Sequence, residues 1–139
     1  MAIRFFSEGI SFQFEGKRKI AQWLKQVATE EGKKINSICY IFVSDKHILK
    51  LNKQYLQHDA DTDIITFDDS NGNHISGDIY ISIHTVKYNA KYYHVDFRNE
   101  LLRVMLHGVL HLCGYQDKTA DRQQEMRDAE NKYLLMIEQ

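Results

Sequence analysis

The chain has no proline and only two cysteines, Cys39 and Cys113, among its 139 residues. Both cysteines stand among apolar residues, so we interpret them as buried thiols of a reducing compartment and not as a disulfide scaffold. No apolar run approaches the roughly 20 residues that a membrane-spanning helix requires. We expect no signal peptide, because the first residues lack a long apolar core. These absences predict a cytoplasmic protein with no membrane partner.

An excess of positive charge is lacking as well. The chain carries 18 Lys and Arg residues against 19 Asp and Glu residues, a formal net charge of -1. This balance excludes a protein that coats nucleic acid in bulk, because such proteins bind through many contacts of Lys and Arg with phosphate. It is compatible with an enzyme that has a local basic cleft. The length and the 43% hydrophobic content predict one globular domain over residues 1–139.

The spacing of apolar residues predicts the secondary structure. Four strands are expected, at 3–14, 35–43, 64–68 and 74–83. Five helices are expected, at 17–31, 44–56, 84–93, 96–112 and 119–137. Residues 70–73, Ser-Asn-Gly-Asn, predict a tight hairpin turn. This order of elements predicts an α+β domain, a single mixed sheet of about four strands flanked by about five helices.

The most informative segment is His107-Gly-Val-Leu-His111-Leu-Cys-Gly114-Tyr-Gln-Asp117. Residues four apart share one face of a helix, so His107 and His111 can direct their imidazoles to one point. Gly114 suits the left-handed position that ends a helix, and the chain can then return Asp117 to the two nitrogens. Two histidines and one carboxylate leave a coordination position vacant, which is typical of a catalytic metal site.

The helix that carries both histidines is apolar nearly all round, which predicts a buried helix. Glu100, Arg103, His107 and His111 form one polar stripe along it. A buried polar stripe needs partners, and histidines bonded to the backbone would satisfy it without a metal. The paired spacing, with Gly and Asp following, favours the metal. Cys113 points away from the stripe and is interpreted as a small apolar side chain, not as a ligand.

An acidic loop contains Asp59, Asp61 and Asp63. These side chains could bind a cation, but the loop lacks the Gly and the distal Glu of a calcium loop. We therefore interpret it as a loop stabilised by side-chain turns.

The segment 107–115, His-Gly-x-Leu-His-Leu-x-Gly-Tyr, resembles the signature of the YbeY endoribonucleases. Further blocks follow in the order of that family, at 51–55, 59, 62–67, 77–82 and 125–130, so the resemblance runs from about residue 40 to 132. It implies a zinc-dependent endoribonuclease that prefers single-stranded RNA and acts in ribosomal RNA maturation and ribosome quality control. The implied partners are ribosomal RNA and the ribosome or its small-subunit proteins, with no DNA. The family fold, a mixed sheet flanked by helices, agrees with the predicted elements.

Two positions near the histidines depart from the family pattern. Asp117 stands where the family usually has a third His, and Gln116 stands where it has an Asp. A carboxylate in place of an imidazole adds negative charge, which lowers the Lewis acidity of the metal. Such a ligand could shift the preference from zinc toward manganese or iron.

A third departure concerns phosphate binding. Leu56 stands where the family commonly has an Arg that helps to hold RNA phosphate, and leucine cannot form that clamp. Lys53, His58 or Arg103 could supply the charge, or catalysis in this member is weaker. Arg103 is our candidate catalytic residue, as a phosphate contact, and a structural pairing with Glu100 is an equally open alternative.

These residues predict metal-assisted hydrolysis of a phosphodiester. A divalent metal ion, expected to be zinc, would be held by His107, His111 and Asp117 and would lower the pKa of a bound water from ~15.7 toward ~7. The RNA 2′-hydroxyl is the alternative nucleophile. A metzincin-like metallopeptidase shares the ligand spacing, but Gly108 occupies the position of its general-base Glu. The third interpretation is a non-catalytic ribosome-associated factor with a structural metal.

Overall fold

The computed structural model describes residues 2–56 and 62–137. The strands in these ranges are β1 (Ile3–Ser7), β2 (Lys34–Val43), β3 (Ile64–Asp68) and β4 (His74–Ser82). The helices are α1 (Lys17–Glu30), α2 (Asp45–Leu56), α3 (Ile83–Tyr92), α4 (Phe97–Leu112) and α5 (Ala120–Leu134). The four strands form one sheet, so the predicted α+β class with a mixed sheet flanked by helices is confirmed.

The sheet has the strand order β1-β2-β4-β3. β1 pairs with β2 and β2 with β4 in parallel, whereas β3 runs antiparallel to β4. Alternate residues of a strand point to opposite faces. In β2 the side chains of Tyr40 and Phe42 therefore join the main core with α1 and α4, whereas Ile41 and Val43 meet Ile48 of α2 on the other face.

The turn between β3 and β4 forms as predicted. Gly72 adopts φ 60, and the backbone N–H of His74 donates to the Asn71 carbonyl at 3.0 Å. This closes a hairpin in which Asn71 and His74 pair across the turn.

The predicted strand over 3–14 is wrong beyond its first residues. β1 ends at Ser7, and Gly9 then adopts φ 74, which redirects the chain. Phe12 and Phe14 pack against the core from an irregular segment, with their rings 5.9 Å apart. The alternating phenylalanines thus indicated burial and not pairing with a strand.

Close packing fixes α4 against the middle of the sheet. A Cβ atom at Gly108 would lie 2.9 Å from Cδ1 of Ile79 in β4, so only glycine permits this approach without displacement. The buried hydroxyl of Tyr40 in β2 donates to the Met105 carbonyl of α4 at 2.7 Å. These contacts determine which side of α4 faces the sheet and which side faces away from it.

Both cysteines are free thiols. The sequence predicted buried thiols, whereas both side chains are half-buried in the structure. Cys113 packs against the core, and burial is the main reason that the pKa of its thiol rises to about 12. A thiol of this kind stays protonated, which agrees with the apolar role predicted for it.

Several predictions fall on residues that the structure does not describe. His58, Asp59 and Asp61 lie outside the described ranges, and so does the side chain of Leu56 at the end of α2. No helix within residues 2–56 and 62–137 has the length and apolar character needed to cross a membrane.

Candidate active site

Three of the four residues of the polar stripe on α4, Glu100, Arg103 and His107, line a cavity of about 580 Å³. Side chains from α3, α4 and α5 line it, together with residues near the start of β3 and in the turn after α4. The ionisable groups of its lining are Asp63, Tyr93, Glu100, Arg103, His107, Asp117, Arg127 and Glu130. The cavity therefore gathers residues that are far apart in the sequence around one histidine.

His107 lies between two carboxylates. Its Nδ1 is 2.8 Å from Oε2 of Glu130, and its Nε2 is 3.4 Å from Oδ2 of Asp117. A carboxylate can only accept a hydrogen bond, so Nδ1 carries a proton and donates it to Glu130. Nε2 is then the ring nitrogen whose lone pair, in the neutral imidazole, is available on the Asp117 side.

The turn after α4 brings Asp117 to His107, which is one of the two histidines to which the sequence predicted its return. Gly114 adopts φ 113, and its N–H donates to the carbonyl of His111 at 3.0 Å. The Tyr115 hydroxyl donates to Glu31 at 3.2 Å, and the Gln123 side chain donates to the Asp117 carbonyl at 3.0 Å. Contacts on both sides of Asp117 therefore fix the path of the returning chain.

Glu130 is the anchor of the cluster, and its side chain is only 6% exposed. Its Oε1 accepts from Nη1 of Arg103 at 2.9 Å, while Nη2 of Arg103 donates to Oδ1 of Asn131 at 2.8 Å. Arg103 is thus hydrogen-bonded to Glu130 and not to Glu100, the alternative that we weighed from the sequence, although its charge still lowers the pKa of Glu100. Arg103 instead bonds across to α5, because the fold places that helix over the stripe.

The coupling of His107 and Glu130 shifts the pKa of both groups. Burial by itself lowers the pKa of His107, but the hydrogen bond and charge of Glu130, with the charges of Asp117 and Asp63, raise it above its ordinary value. Burial by itself raises the pKa of Glu130, but the hydrogen bonds from His107 and Arg103 hold it below its ordinary value. Without a metal, the pair therefore favours an imidazolium beside a carboxylate.

Two further carboxyl groups, those of Asp63 and Glu100, line the same cavity. Burial raises the pKa of Asp63, which also accepts a hydrogen bond from the side chain of Asn89. Burial also raises the pKa of Glu100, and the charge of Asp63 adds to the effect. Glu100 is only 7% exposed. The cavity thus also contains two acids whose ionised forms are destabilised by burial.

His111 stands apart from this cluster. It lies one turn after His107 on α4, but its side chain is exposed and is not part of the cavity lining. Within residues 2–56 and 62–137, no three His, Cys, Asp or Glu side chains are arranged to hold a metal ion together. The structure thus brings together His107 and Asp117, and the full set of three ligands stays a prediction.

The atoms of His107 and Asp117 fit a shared metal ion. Two ligands bound tetrahedrally to zinc at about 2.0–2.1 Å stand roughly 3.3 Å from each other. The observed distance between Nε2 of His107 and Oδ2 of Asp117 is 3.4 Å. A histidine that binds a metal also normally donates its other N–H to a carboxylate or carbonyl, as His107 does to Glu130.

Sequence reasoning missed the role of Glu130 and of Asp63. Glu130 appeared only within a block of family resemblance, although an acid on the apolar stripe of α5 beside Met126, Ala129 and Tyr133 is a usable signal. Asp63 was grouped with the loop acids, yet it directly precedes β3 and its carbonyl accepts from Ser82 at 2.9 Å. Pairing with β4 is what carries Asp63 into the cavity.

The environment of Gly108 bears on the peptidase alternative. That mechanism requires a carboxylate at this position, but the site where its Cβ would be lies within 3.3 Å of Ile79 and Ile64 atoms. A glutamate there would have to enter the packed layer between α4 and the sheet. The packing therefore does not favour a metzincin-like peptidase.

The fold and the cluster together define a class, a small α+β enzyme domain in which a buried helix presents a histidine between two carboxylates. Comparison with known proteins places the chain more closely. The family model described as Endoribonuclease YbeY matches residues 3–138. The chain therefore belongs to the YbeY endoribonuclease family, as the resemblance in its sequence predicted.

Individual relatives agree with this assignment. An endoribonuclease YbeY of Bacteroides fragilis is 48% identical over 139 residues, which is 100% of both chains. One from Parabacteroides distasonis is 47% identical over 137 residues, covering 99% of this chain and 96% of the relative. A solution structure of a Thermotoga maritima protein is 30% identical with a TM-score of 0.65, and the match covers 97% of this chain and 88% of that chain. Endoribonucleases are hydrolases, so the predicted enzyme class is confirmed.

Proposed function

We propose that this protein is a metal-dependent endoribonuclease that cuts single-stranded RNA during ribosomal RNA maturation and ribosome quality control. The observation that carries the proposal is the position of His107, held by Glu130 through Nδ1 and facing Asp117 through Nε2. The names of the relatives support RNA as the substrate class. The packing around Gly108 favours this function over peptide hydrolysis.

The residues proposed to hold the metal are His107, His111 and Asp117. When bound, a zinc ion would supply a water of lowered pKa and neutralise charge on a phosphate oxygen. Asp117 in place of an imidazole adds negative charge, which would favour manganese or iron more than a site with three histidines does. His111 is exposed, so its ring can rotate toward His107 without disturbing the core.

The other residues of the cluster act on orientation and charge. Glu130 fixes the ring of His107 and keeps the proton on Nδ1, which leaves Nε2 for the metal. Arg103 holds Glu130 and lines the same cavity, with its side chain 23% exposed. Its guanidinium has further N–H groups besides those bonded to Glu130 and Asn131, and these are the proposed contact to phosphate.

The proposed setting is the cytoplasm, where ribosomes assemble. Single-stranded segments of ribosomal RNA would be the substrate, because unpaired bases and a flexible backbone can enter the cavity whereas a regular duplex cannot. The ribosome or its small-subunit proteins would present these segments. The family name states only that RNA is the substrate, and this proposal narrows the substrate to single-stranded ribosomal RNA.

The experiment that tests this function offers the metal-quantified protein single-stranded RNA, duplex RNA and a peptide in parallel. We expect cleavage of the single-stranded RNA alone, dependent on zinc or manganese. His107→Ala should abolish cleavage, because it removes the central side chain of the cluster. His74→Ala is the matched control, since this exposed histidine lies on β4 outside the cavity.

Cleavage that persists in His107→Ala would indicate a contaminating nuclease and overturn the assignment of this site. Stoichiometric metal without cleavage of any substrate would contradict the enzymatic function and favour the non-catalytic ribosome factor. Cleavage of the peptide would favour the metallopeptidase.

A further inference from the structure

Three exposed tyrosines lie together on α3 and at its C-terminal end. Among the residues that the structure describes, seven large hydrophobic side chains are exposed, and four of them lie within residues 88–95. Tyr88 is 64% exposed, Tyr92 67% and Tyr93 59%. We call these three residues the α3 tyrosine surface. A cluster of exposed rings of this kind is typical of an interaction site, whereas apolar side chains that are exposed singly are ordinary.

The rings are arranged along the helix. Tyr88 and Tyr92 are four residues apart in α3 and therefore share one face, about 6 Å apart along the helix axis. Tyr93 caps the end of the helix, and its ring lies edge-on to that of Tyr92 at 5.1 Å between centroids. Planar groups that follow one another along a ligand could therefore each stack on one of these rings.

The charge of this segment favours a negatively charged partner. Residues 83–95 contain no Asp or Glu, although the whole chain has a net charge of -1. Lys87 and Lys91 directly precede Tyr88 and Tyr92 in α3, and both are exposed. Nζ of Lys87 lies 5.8 Å from the ring centroid of Phe97. Aromatic rings flanked by lysines bind single-stranded nucleic acid by stacking with bases and attracting phosphates.

The α3 tyrosine surface is continuous with the candidate active site. Tyr93 lines the cavity that contains His107. Tyr88 lines a second cavity of about 630 Å³, and this cavity shares Asp63 and Asn89 with the first. A strand that lies along α3 would therefore run past the rims of both cavities and reach the cluster around His107.

We infer that the α3 tyrosine surface is the binding track for single-stranded RNA, with bases stacked on Tyr88, Tyr92 and Tyr93 and phosphates near Lys87 and Lys91. The inference rests on the proposed function for its choice of RNA as the occupant. A second copy of this chain would bury the rings as well, but it would also bring the same lysines together across a symmetric contact, which is unfavourable.

Equilibrium binding of RNA to surface variants tests this inference. The probe is a short, fluorescein-labelled, unstructured single-stranded RNA, and its binding is measured by fluorescence anisotropy. A chelator in the buffer removes the metal ion, so that the RNA is not cleaved during the measurement. Tyr88→Ala and Tyr92→Ala should each weaken binding about 5- to 150-fold, the effect of removing one base stack. Tyr92→Phe keeps the ring and should bind like the parental protein. Lys91→Gln should reduce the slope of the salt dependence by about one.

The controls separate stacking from folding and from general charge. Phe6→Ala removes a ring that is 49% exposed on the edge strand β1, outside both cavities, and should leave binding unchanged. The tyrosine variants should keep the parental melting temperature, because their rings are exposed. A duplex of the same sequence should bind more weakly, because its bases are already stacked.

Parental affinity in both alanine variants would overturn the inference. So would a loss of self-association in these variants, measured by size-exclusion chromatography, because the rings would then serve a contact between copies. The cleavage assay separates this result from the proposed function. If the parental protein cleaves RNA and the tyrosine variants bind RNA with parental affinity, the binding track is refuted and the proposed function is not. If the variants bind RNA more weakly but the parental protein does not cleave it, the nuclease function is refuted and the binding track is not.

Discussion

Replacement of Glu130 tests how much the cluster around His107 contributes to the stability of the fold. Glu130→Ala removes two charge-assisted hydrogen bonds, one from Arg103 at 2.9 Å and one from His107 at 2.8 Å. Each such bond contributes about 1.5–3 kcal/mol. The two released side chains are 23% and 25% exposed, so water partly replaces the lost acceptor. We expect a loss of about 3–5 kcal/mol in the free energy of unfolding.

Glu130→Gln is the matched variant. Its amide oxygen can still accept from Arg103, and its amide nitrogen can donate to Nδ1 of His107 only if the ring proton moves to Nε2. Stability should therefore fall by only about 1–2 kcal/mol. The affinity for zinc should fall about 10- to 100-fold, because the nitrogen that faces Asp117 no longer offers a lone pair.

The stability difference should depend on pH. The pKa of Glu130 is lowered by His107 and Arg103, so its contribution is present above its ordinary value of 4.5 and is lost as the pH falls through the folded value. The pKa of His107 is raised, so its contribution is present below its ordinary value of 6.5 and is lost as the pH rises through the folded value. The difference between the parental protein and Glu130→Ala should thus be largest between these two values.

Urea unfolding of the metal-free protein across this pH range measures the effect. A Glu130→Ala protein as stable as the parental one, or a stability difference that stays constant with pH, would refute the ion pair as the source of the stabilisation.

Two further substitutions test the surroundings of the site. Glu100→Gln should raise the free energy of unfolding at neutral pH by roughly 0.5–2 kcal/mol, because burial and the charge of Asp63 raise the pKa of Glu100. The gain should vanish as the pH falls below the pKa of Glu100 in the folded protein. An equal gain at all pH values in urea unfolding would contradict this prediction. Gly77→Ala should destabilise the protein by about 1–3 kcal/mol, since its Cβ would lie 2.5 Å from the Phe67 carbonyl oxygen, and an unchanged melting temperature would contradict this.

The sequence predicts those parts of the molecule that depend on local patterns. The helix that carries His107 and the return of Asp117 follow from apolar periodicity and from one glycine, Gly114, at φ 113. The hairpin at 70–73 likewise follows from turn chemistry. In each case the turn itself is set by neighbouring residues, so the pattern is readable without the fold, although the contact of Tyr115 with Glu31 that holds the returning chain is long-range.

The parts that could not be predicted depend on contacts between distant segments. Glu130 reaches His107 only because α5 packs across α4, anchored by the indole N–H of Trp23, which donates to the Tyr133 carbonyl at 2.9 Å. The spacing of the sequence places His111 on the same stripe of α4 as His107. Whether its side chain is buried or exposed depends on which distant segments pack against the end of α4, and in the structure it is exposed. The exposure of the α3 tyrosines follows from the same long-range packing.

Zinc affinity after substitution of Asp117 tests the central claim most directly. Competition with a chelating dye measures this affinity for the parental protein, Asp117→Ala and the control Asp69→Ala, an exposed acid after β3. The account predicts at least a ten-fold loss for Asp117→Ala, with metal-free stability within about 0.5 kcal/mol of the parental value. Equal zinc affinity in all three proteins would contradict it.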